Sequence, residues 1–419
     1  MYELELGLDG IFDPVFWLTL LVVIIGLILL VFGLRFLFKI FLKRVKFASA
    51  EKKSLDAVVF EIRVPKNNEV EISAADQMFA ALQSIGAGDK GKSLRDKFKA
   101  KSFVSFEIVA ISGSIKFYVV ASANISNTVE KAINGAYPTA EVITTNEYNL
   151  FSDGCSLDYA HLNLEFDTYK PIRTYEELNT DTMSLILSPM SKLSTNESIG
   201  YQVLLTASSG KWRNKGKNYV QKIRNAFADP EKKSKPKVSE DILAAIEKKC
   251  EKGGFNVDIR FVATSPEKET AKQYIDTMIG VFSQFKKEGG NAFKRKNDKG
   301  KEGIKFLKKF INRIPDESMT LNTAELSSII HFPNSKVEVP NINWLMAKRA
   351  PASGEIPSTG DLWLGVNVFR DVQKPIYIDR DDRRRHMYII GKTGTGKSYF
   401  MQQMALQDMI NGEGLAFLD

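Results

Sequence analysis

Between Val15 and Leu34 the chain reads VFWLTLLVVIIGLILLVFGL, with no charged residue. No other stretch restricts its conformation as tightly. About 20 helical residues rising ~1.5 Å each match a hydrocarbon core of about 30 Å, so the plain reading is a transmembrane helix, assigned with its flank to 15–38. A cleaved signal peptide fits poorly. The residues before the run are acidic (Glu3, Glu5, Asp9, Asp13), the apolar stretch is long, and no small-residue cleavage site follows. Residues 1–34 carry -4. Residues 35–53 carry +6, from Arg35, Lys39, Lys43, Arg44, Lys46, Lys52 and Lys53 against Glu51. By the positive-inside rule, 1–14 is then a short extracytoplasmic tail, 39–56 a basic juxtamembrane segment near inner-membrane lipid, and the body cytoplasmic, with a single pass through the cell membrane.

The remaining sequence has an ordinary globular composition. Hydrophobic residues make up 44% and charged residues 26% of the 419 positions, which excludes wholesale disorder and a polytopic membrane protein. Two distant cysteines, Cys155 and Cys250, form no disulfide framework. Three scattered histidines (His161, His331, His386) leave no pattern for a structural zinc site. The net charge of +8 is partly juxtamembrane and does not by itself argue for nucleic acid.

Apolar periodicity predicts a strand at 57–64, a helix at 72–85, strands at 103–111 and 115–121, and a helix near 125–135. This order suits a ferredoxin-like α+β unit over 57–150. A related order, strands near 161–166 and 200–207, a helix near 212–227, a strand at 256–263 and a helix at 266–287, suggests a second α+β unit over 151–332, and so a duplication. The polar stretches 229–240 and 288–303 read as surface loops. Residues 333–374 read as a linker and edge strands, with a strand at 362–368 and a further one at 375–378 where the next domain begins.

Two basic segments stand out. From 211 to 224, Lys211, Arg213, Lys215, Lys217, Lys222 and Arg224 occur without an acid, on a helix whose other face carries Trp212, Tyr219, Val220, Ile223 and Phe227. Lys294, Arg295 and Lys296 lie in a second run, 286–309. Either could contact DNA; the alternative is solvated lysine on an amphipathic helix and in a loop.

Gly391, Lys392, Thr393, Gly394, Thr395, Gly396, Lys397 and Ser398 fit G-x-x-x-x-G-K-[ST]. A short strand at 387–390 is expected before the motif. A helix at 399–411 should follow with Met401, Met404, Ala405 and Met409 inward, and then a strand at 415–419. In such a loop glycines let backbone N–H groups curl around the β- and γ-phosphates. Lys397 would neutralise the phosphate oxygens, and the Ser398 hydroxyl would ligate Mg²⁺.

The run RRRHMYIIGKTGTGKSYFMQQMALQDMINGEGLAFLD resembles the start of the motor domain in the HerA and FtsK superfamily, in particular the ATPases of type IV secretion and conjugative DNA transfer. Asp419 matches the first position of that family's Asp-Pro-His-Gly-like stretch, and LNTAELSSIIHFP (321–333) looks like the segment that precedes the motor. Close resemblance covers 320–419. It implies a RecA-like P-loop ATPase domain beginning at 375, ATP and Mg²⁺ as cofactors, a homo-oligomer (usually a hexameric ring), partners among other secretion or conjugation components, and DNA or protein translocation. The fold class expected is thus mixed α/β and α+β behind one transmembrane helix. Walker B carboxylates and an arginine finger do not occur within 1–419, so this polypeptide is not expected to hydrolyse ATP by itself. A membrane-tethered scaffold or a DNA-binding module without ATPase activity is the alternative.

Overall fold

A computed structural model describes residues 14–86, 100–178, 180–229, 238–296, 302–316, 319–345, 350–369 and 372–416. The apolar run lies in α1 (Pro14–Leu55), one unbroken helix of 42 residues, about 63 Å long at 1.5 Å per residue. It is long and apolar enough to cross a membrane, and the apolar window is free of contact with the body. Its last turns dock. Ala50 and Ser54 are buried, the Ala100 N–H donates to Ser49 Oγ at 3.1 Å, and Lys53 Nζ donates to Ser102 Oγ at 2.9 Å.

The body is a mixed α/β structure built on one antiparallel sheet of nine strands. Its first half runs β1 (Val58–Arg63), α2 (Ile72–Leu82), β2 (Phe103–Ile111), β3 (Ser114–Ala121), α3 (Ser126–Ala136), β4 (Glu141–Thr145). The second half runs β5 (Ser156–Leu164), α4 (Thr182–Met190), β6 (Ser198–Ala207), α5 (Lys211–Ala228), α6 (Glu240–Glu251), β7 (Gly254–Ser265), α7 (Lys268–Val281), β8 (Phe293–Arg295). In the strand order β4-β1-β3-β2-β6-β7-β5-β8, each half has the same spatial sequence when read from its outer edge to the β2–β6 seam. The halves meet where β2 pairs with β6, with Glu107 opposite Gln202 in the middle of the register. In place of the tight β2–β3 turn at Ser112–Gly113, the second half inserts the α5–α6 hairpin. Then α8 (Glu302–Ile311), β9 (Met319–Asn322) and α9 (Thr323–Ile329) complete the body, with β9 extending the edge of β7 at Gly254–Val257.

Alternation along the strands sorts side chains to two faces. Val104, Phe106, Ile108 and Ala110 of β2 join the main core, which α2, α3, α4, α7 and α9 cover with Phe79, Ile133, Leu187, Ile275 and Leu326. Phe103 and Val109 point the other way, into a smaller core closed by Leu150 and by Phe306 and Phe310 of α8.

Several expectations are corrected here. The polar stretch from 288 contains β8, whose Phe293 pairs with Leu164 and packs beside Phe282 and Phe285. The segment expected to be linker from 333 stays packed through Leu345: Ile342 bridges to Ile115, Leu345 bridges to Pro65, and Val337 and Ile342 are buried. Of the loop expected at 229–240, residues 230–237 lie outside the described residues and Glu240 already starts α6. Short elements β4, α4 and α9 were not anticipated, because runs of five to nine residues carry too few periods to register.

Farther along, β10 (Leu362–Phe369) and β11 (Val372–Ile378) form a separate hairpin, followed by α10 (Lys397–Ile410). Residues 387–390, expected as a strand, are irregular. A strand requires a ladder partner for its N–H and C=O groups, and none is formed there among the described residues. Residues 415–416 are likewise irregular, and 417–419, including Asp419, lie outside the described residues.

Candidate phosphate-binding loop and the buried polar row

The glycine motif folds as a tight loop opening a helix. Gly394 and Gly396 have φ of 81° and 89°, the left-handed region that a Cβ disfavours. A Cβ on Gly391 would stand 2.6 Å from Thr395 Oγ1, so a larger residue here would displace the Thr395 hydroxyl from its bond within the loop. Lys397 is the first residue of α10, and its Nζ donates back to the carbonyls of Gly391 at 2.6 Å and Lys392 at 2.9 Å. The Thr395 hydroxyl donates to Lys392 O at 2.7 Å. Residues 391–396 and Ser398 are exposed, and the Ser398 hydroxyl has no partner among the described residues. A helix start, whose first N–H groups have no partner within the helix, with a lysine folded onto the loop carbonyls and an uncommitted hydroxyl fits a phosphate with its cation.

The helix behind the loop is held by polar contacts. Gln407 accepts from Trp363 N–H and donates to Trp363 O, both at 2.9 Å; Asn411 donates to Asp361 O at 3.0 Å. Arg383 grips Asp408 with both guanidinium nitrogens, and Asp408 is the one buried residue on α10. The methionine face expected to be inward is not: Met401 is 41% and Met409 59% exposed, and Met404 and Ala405 are half-buried. The β10–β11 hairpin presents α10 with a narrow polar seam instead of a sheet surface.

The basic residues are separated. Lys211, Lys215 and Lys217 are exposed on α5 and make no ion pair among the described residues, whereas Arg213 is half-buried. Arg224 is committed to Glu240 at 2.6 Å and Glu247 at 2.8 Å. The 294–296 run lies on the far edge strand. Lys294 is exposed, Arg295 donates to Tyr159 O at 2.8 Å beside Asp158 and Asp276, and the Lys296 N–H donates to His161 O at 2.7 Å. Of the three, Arg295 faces acids, while Lys294 and Lys296 keep exposed side chains at the edge strand β8, apart from α5 in the fold.

The feature that sequence reasoning missed is a row of polar side chains crossing six strands on the second face. The registers place Glu61 opposite Tyr118, Tyr118 opposite Glu107, Glu107 opposite Gln202, Gln202 opposite Arg260, and Arg260 opposite His161. All six are buried. Arg313 reaches in from the turn after α8 with φ of 46°. Its Nε and Nη2 donate to the two oxygens of Glu107 at 2.8 and 3.0 Å, and Nη1 and Nη2 donate to Glu147 at 2.8 and 2.9 Å. Burial pushes the Glu107 carboxyl up. Attraction to Arg313, with hydrogen bonds from Arg313, Ser105 and Tyr148, outweighs it and holds the group below the ordinary carboxylate range. A faint signal existed: Ser105/Glu107 and Asp258/Arg260 place polar residues two apart inside apolar strands, which puts them on one face.

His161, Asp258 and Asp316 converge closely enough to hold a metal ion. Arg260 already stands 3.7 Å from Asp258 and 3.6 Å from Asp316, and Lys309 pairs with Asp316. Two fixed cations thus balance the two carboxylates and oppose a divalent ion. His331 faces Asp181 at 3.1 Å and the Ser327 carbonyl at 2.8 Å. The Ser327 hydroxyl is spent on Thr323 O, so this histidine activates no nucleophile there. His386 is exposed, as expected for a turn edge.

No curated protein matches the chain. A family profile described as a domain of unknown function, DUF8128, matches residues 44–345. That range takes in the end of α1 and the whole nine-stranded body, and stops where the packed segment ends at Leu345. The profile covers most of the sequence, and the chain belongs to the DUF8128 family.

Proposed function

We propose that the chain is a membrane-anchored subunit whose segment from 375 opens a P-loop ATPase domain of the HerA and FtsK type, serving type IV secretion or conjugative DNA transfer. The observation carrying this reading is the loop itself: two left-handed glycines, a closely packed glycine at 391, and Lys397 and Ser398 at a helix start. Gly391, Lys392, Thr393, Gly394, Thr395 and Gly396 would wrap ATP phosphates, Lys397 would leave its two carbonyls for the β- and γ-oxygens, and Ser398 would take Mg²⁺. In this reading the two halves of the body are duplicated ferredoxin-like units. The basic flank of α1 sets the body in the cytoplasm, and the motor assembles as a homo-oligomeric, RecA-like ring.

The test is ATP turnover by native membranes that contain the protein. Lys397→Ala abolishes hydrolysis and leaves membrane insertion unchanged. Hydrolysis at the parental rate in that variant refutes the assignment.

A second reading, a membrane-tethered scaffold, is favoured by one observation. Among the described residues, the body's hydrophobic clusters include none beyond Trp344, so the family domain packs its core without help from the described part of the P-loop segment. Recruitment of partners by a variant lacking 387–419 supports it; loss of recruitment argues against it.

A further inference from the structure

The outer face of α5 is unusual in chemistry and placement. Lys211, Lys215 and Lys222 alternate with Asn214, Asn218 and Asn225, all exposed. These lysines make no ion pair among the described residues, and the first acid after Lys211, Asp229, lies beyond the last turn. The opposite side, with Trp212, Val220, Ile246 and Cys250, forms the α5–α6 core.

The registers fix which end of the sheet the hairpin covers. Val58 pairs with Ala121, Val104 with Ala121, Phe103 with Thr206, and Ala207 with Phe255. The starts of β1, β2 and β7 and the ends of β3 and β6 therefore share one end. α1 leaves the body there, through Ser49 and Lys53 against Ala100 and Ser102. The α5–α6 hairpin leaves and re-enters at this same end, between Ala207 and Gly254. Its inner side rests on loops of that end: a Cβ on Gly216 would meet Tyr169, one on Gly254 would meet Trp212, and one on Gly289 would meet Ile242. The outer face of α5 is the side turned away from these loops, at the end of the sheet where α1 docks.

The separation is short. Exposed apolar residues of α1 continue past Leu34 through Phe36, Leu37, Phe38, Ile40 and Phe41. The helix thus stays apolar to within about 12 Å of Ser49, at 1.5 Å per residue, close to one Debye length.

We propose that the Lys/Asn face of α5 docks against the anionic headgroups of the bilayer that α1 spans, giving the body a second, electrostatic foot beside its helical anchor. The face has no exposed apolar residue to insert, so the contact is with headgroups, and each lysine near an anionic surface favours docking about fivefold. Aromatic anchors, which protein interfaces favour over lysine, are all on the buried side. The proposal rests on α1 spanning a membrane, and the experiment reads the two separately.

The full chain, carrying Asn218→Cys with Cys155→Ser, is labelled at 218 with a fluorophore and reconstituted into vesicles containing spin-labelled headgroups. Alkaline washing reports α1 insertion. A chain that washes off overturns the anchor reading. With the chain retained, docking gives strong quenching in phosphatidylglycerol-containing vesicles and weak quenching in phosphatidylcholine alone. Quenching is lost at high salt, and the docked-to-free ratio falls about fivefold per lysine across Lys211→Gln, Lys215→Gln and Lys222→Gln. Equal quenching in both lipids, or a label protected by duplex DNA and indifferent to lipid charge, overturns the docking proposal while leaving the anchor standing.

Discussion

Removing the Arg313 guanidinium, in Arg313→Met, should be among the costliest single changes in the body. Glu107 is 1% exposed and receives two of its hydrogen bonds from Arg313. Methionine keeps the aliphatic volume but leaves a buried carboxylate with only Ser105, Tyr148 and Gln202 as donors. Breaking one side of such a pair costs about 3–5 kcal/mol. The other partner supplies an internal control. Glu147 is 56% exposed on its side chain, so Glu147→Gln should cost under about 1 kcal/mol despite equally short bonds. Urea titration of the detergent-solubilised chain, followed by tryptophan fluorescence, measures both. The pH dependence follows from sign. In the parent, Glu107 titrates lower when folded than when unfolded. Its contribution is therefore fully present above the unfolded value of about 4.3 and is lost as pH falls through the folded one. In the variant, burial acts without Arg313 and raises the folded value, so protonation relieves the penalty. The gap between parent and variant should narrow as pH drops. A cost below about 1 kcal/mol for Arg313→Met, or a gap that widens in acid, would refute the account of this network.

Other substitutions probe the remaining contacts. Gly216→Ala brings a Cβ to 2.5 Å from Cys250 Sγ and 3.0 Å from Tyr169, so overpacking should destabilise the α5–α6 hairpin by about 1–3 kcal/mol, read by hydrogen exchange confined to 211–251. Gly391→Ala should weaken nucleotide-phosphate binding without altering body stability, since its Cβ crowds the Thr395 hydroxyl; unchanged nucleotide affinity contradicts the loop geometry. Asp408→Asn takes from Arg383 its ionic partner and should loosen α10 from the β10–β11 hairpin, seen as altered Trp363 fluorescence with an unchanged melting transition of the body.

The sequence by itself determined the pieces whose physics is local. An uncharged run from Val15 to Leu34 can satisfy its backbone only as a helix once it is in lipid, and GKTGTGKS contains the glycines at which the loop takes positive φ. The sequence located β2, β3, β6 and β7 because runs of eight or more residues rich in β-branched and aromatic side chains are a strong signal. Other features depended on partners distant in the chain. That β2 and β6 join the two halves into one sheet, that Arg313 reaches Glu107 from 206 positions away, and that Met401 and Met409 stay exposed while Asp408 is buried were decided only by tertiary structure. A residue's neighbours along the chain set its conformation, but whether a carboxylate is paired or a helix face covered depends on which strands and loops close over it.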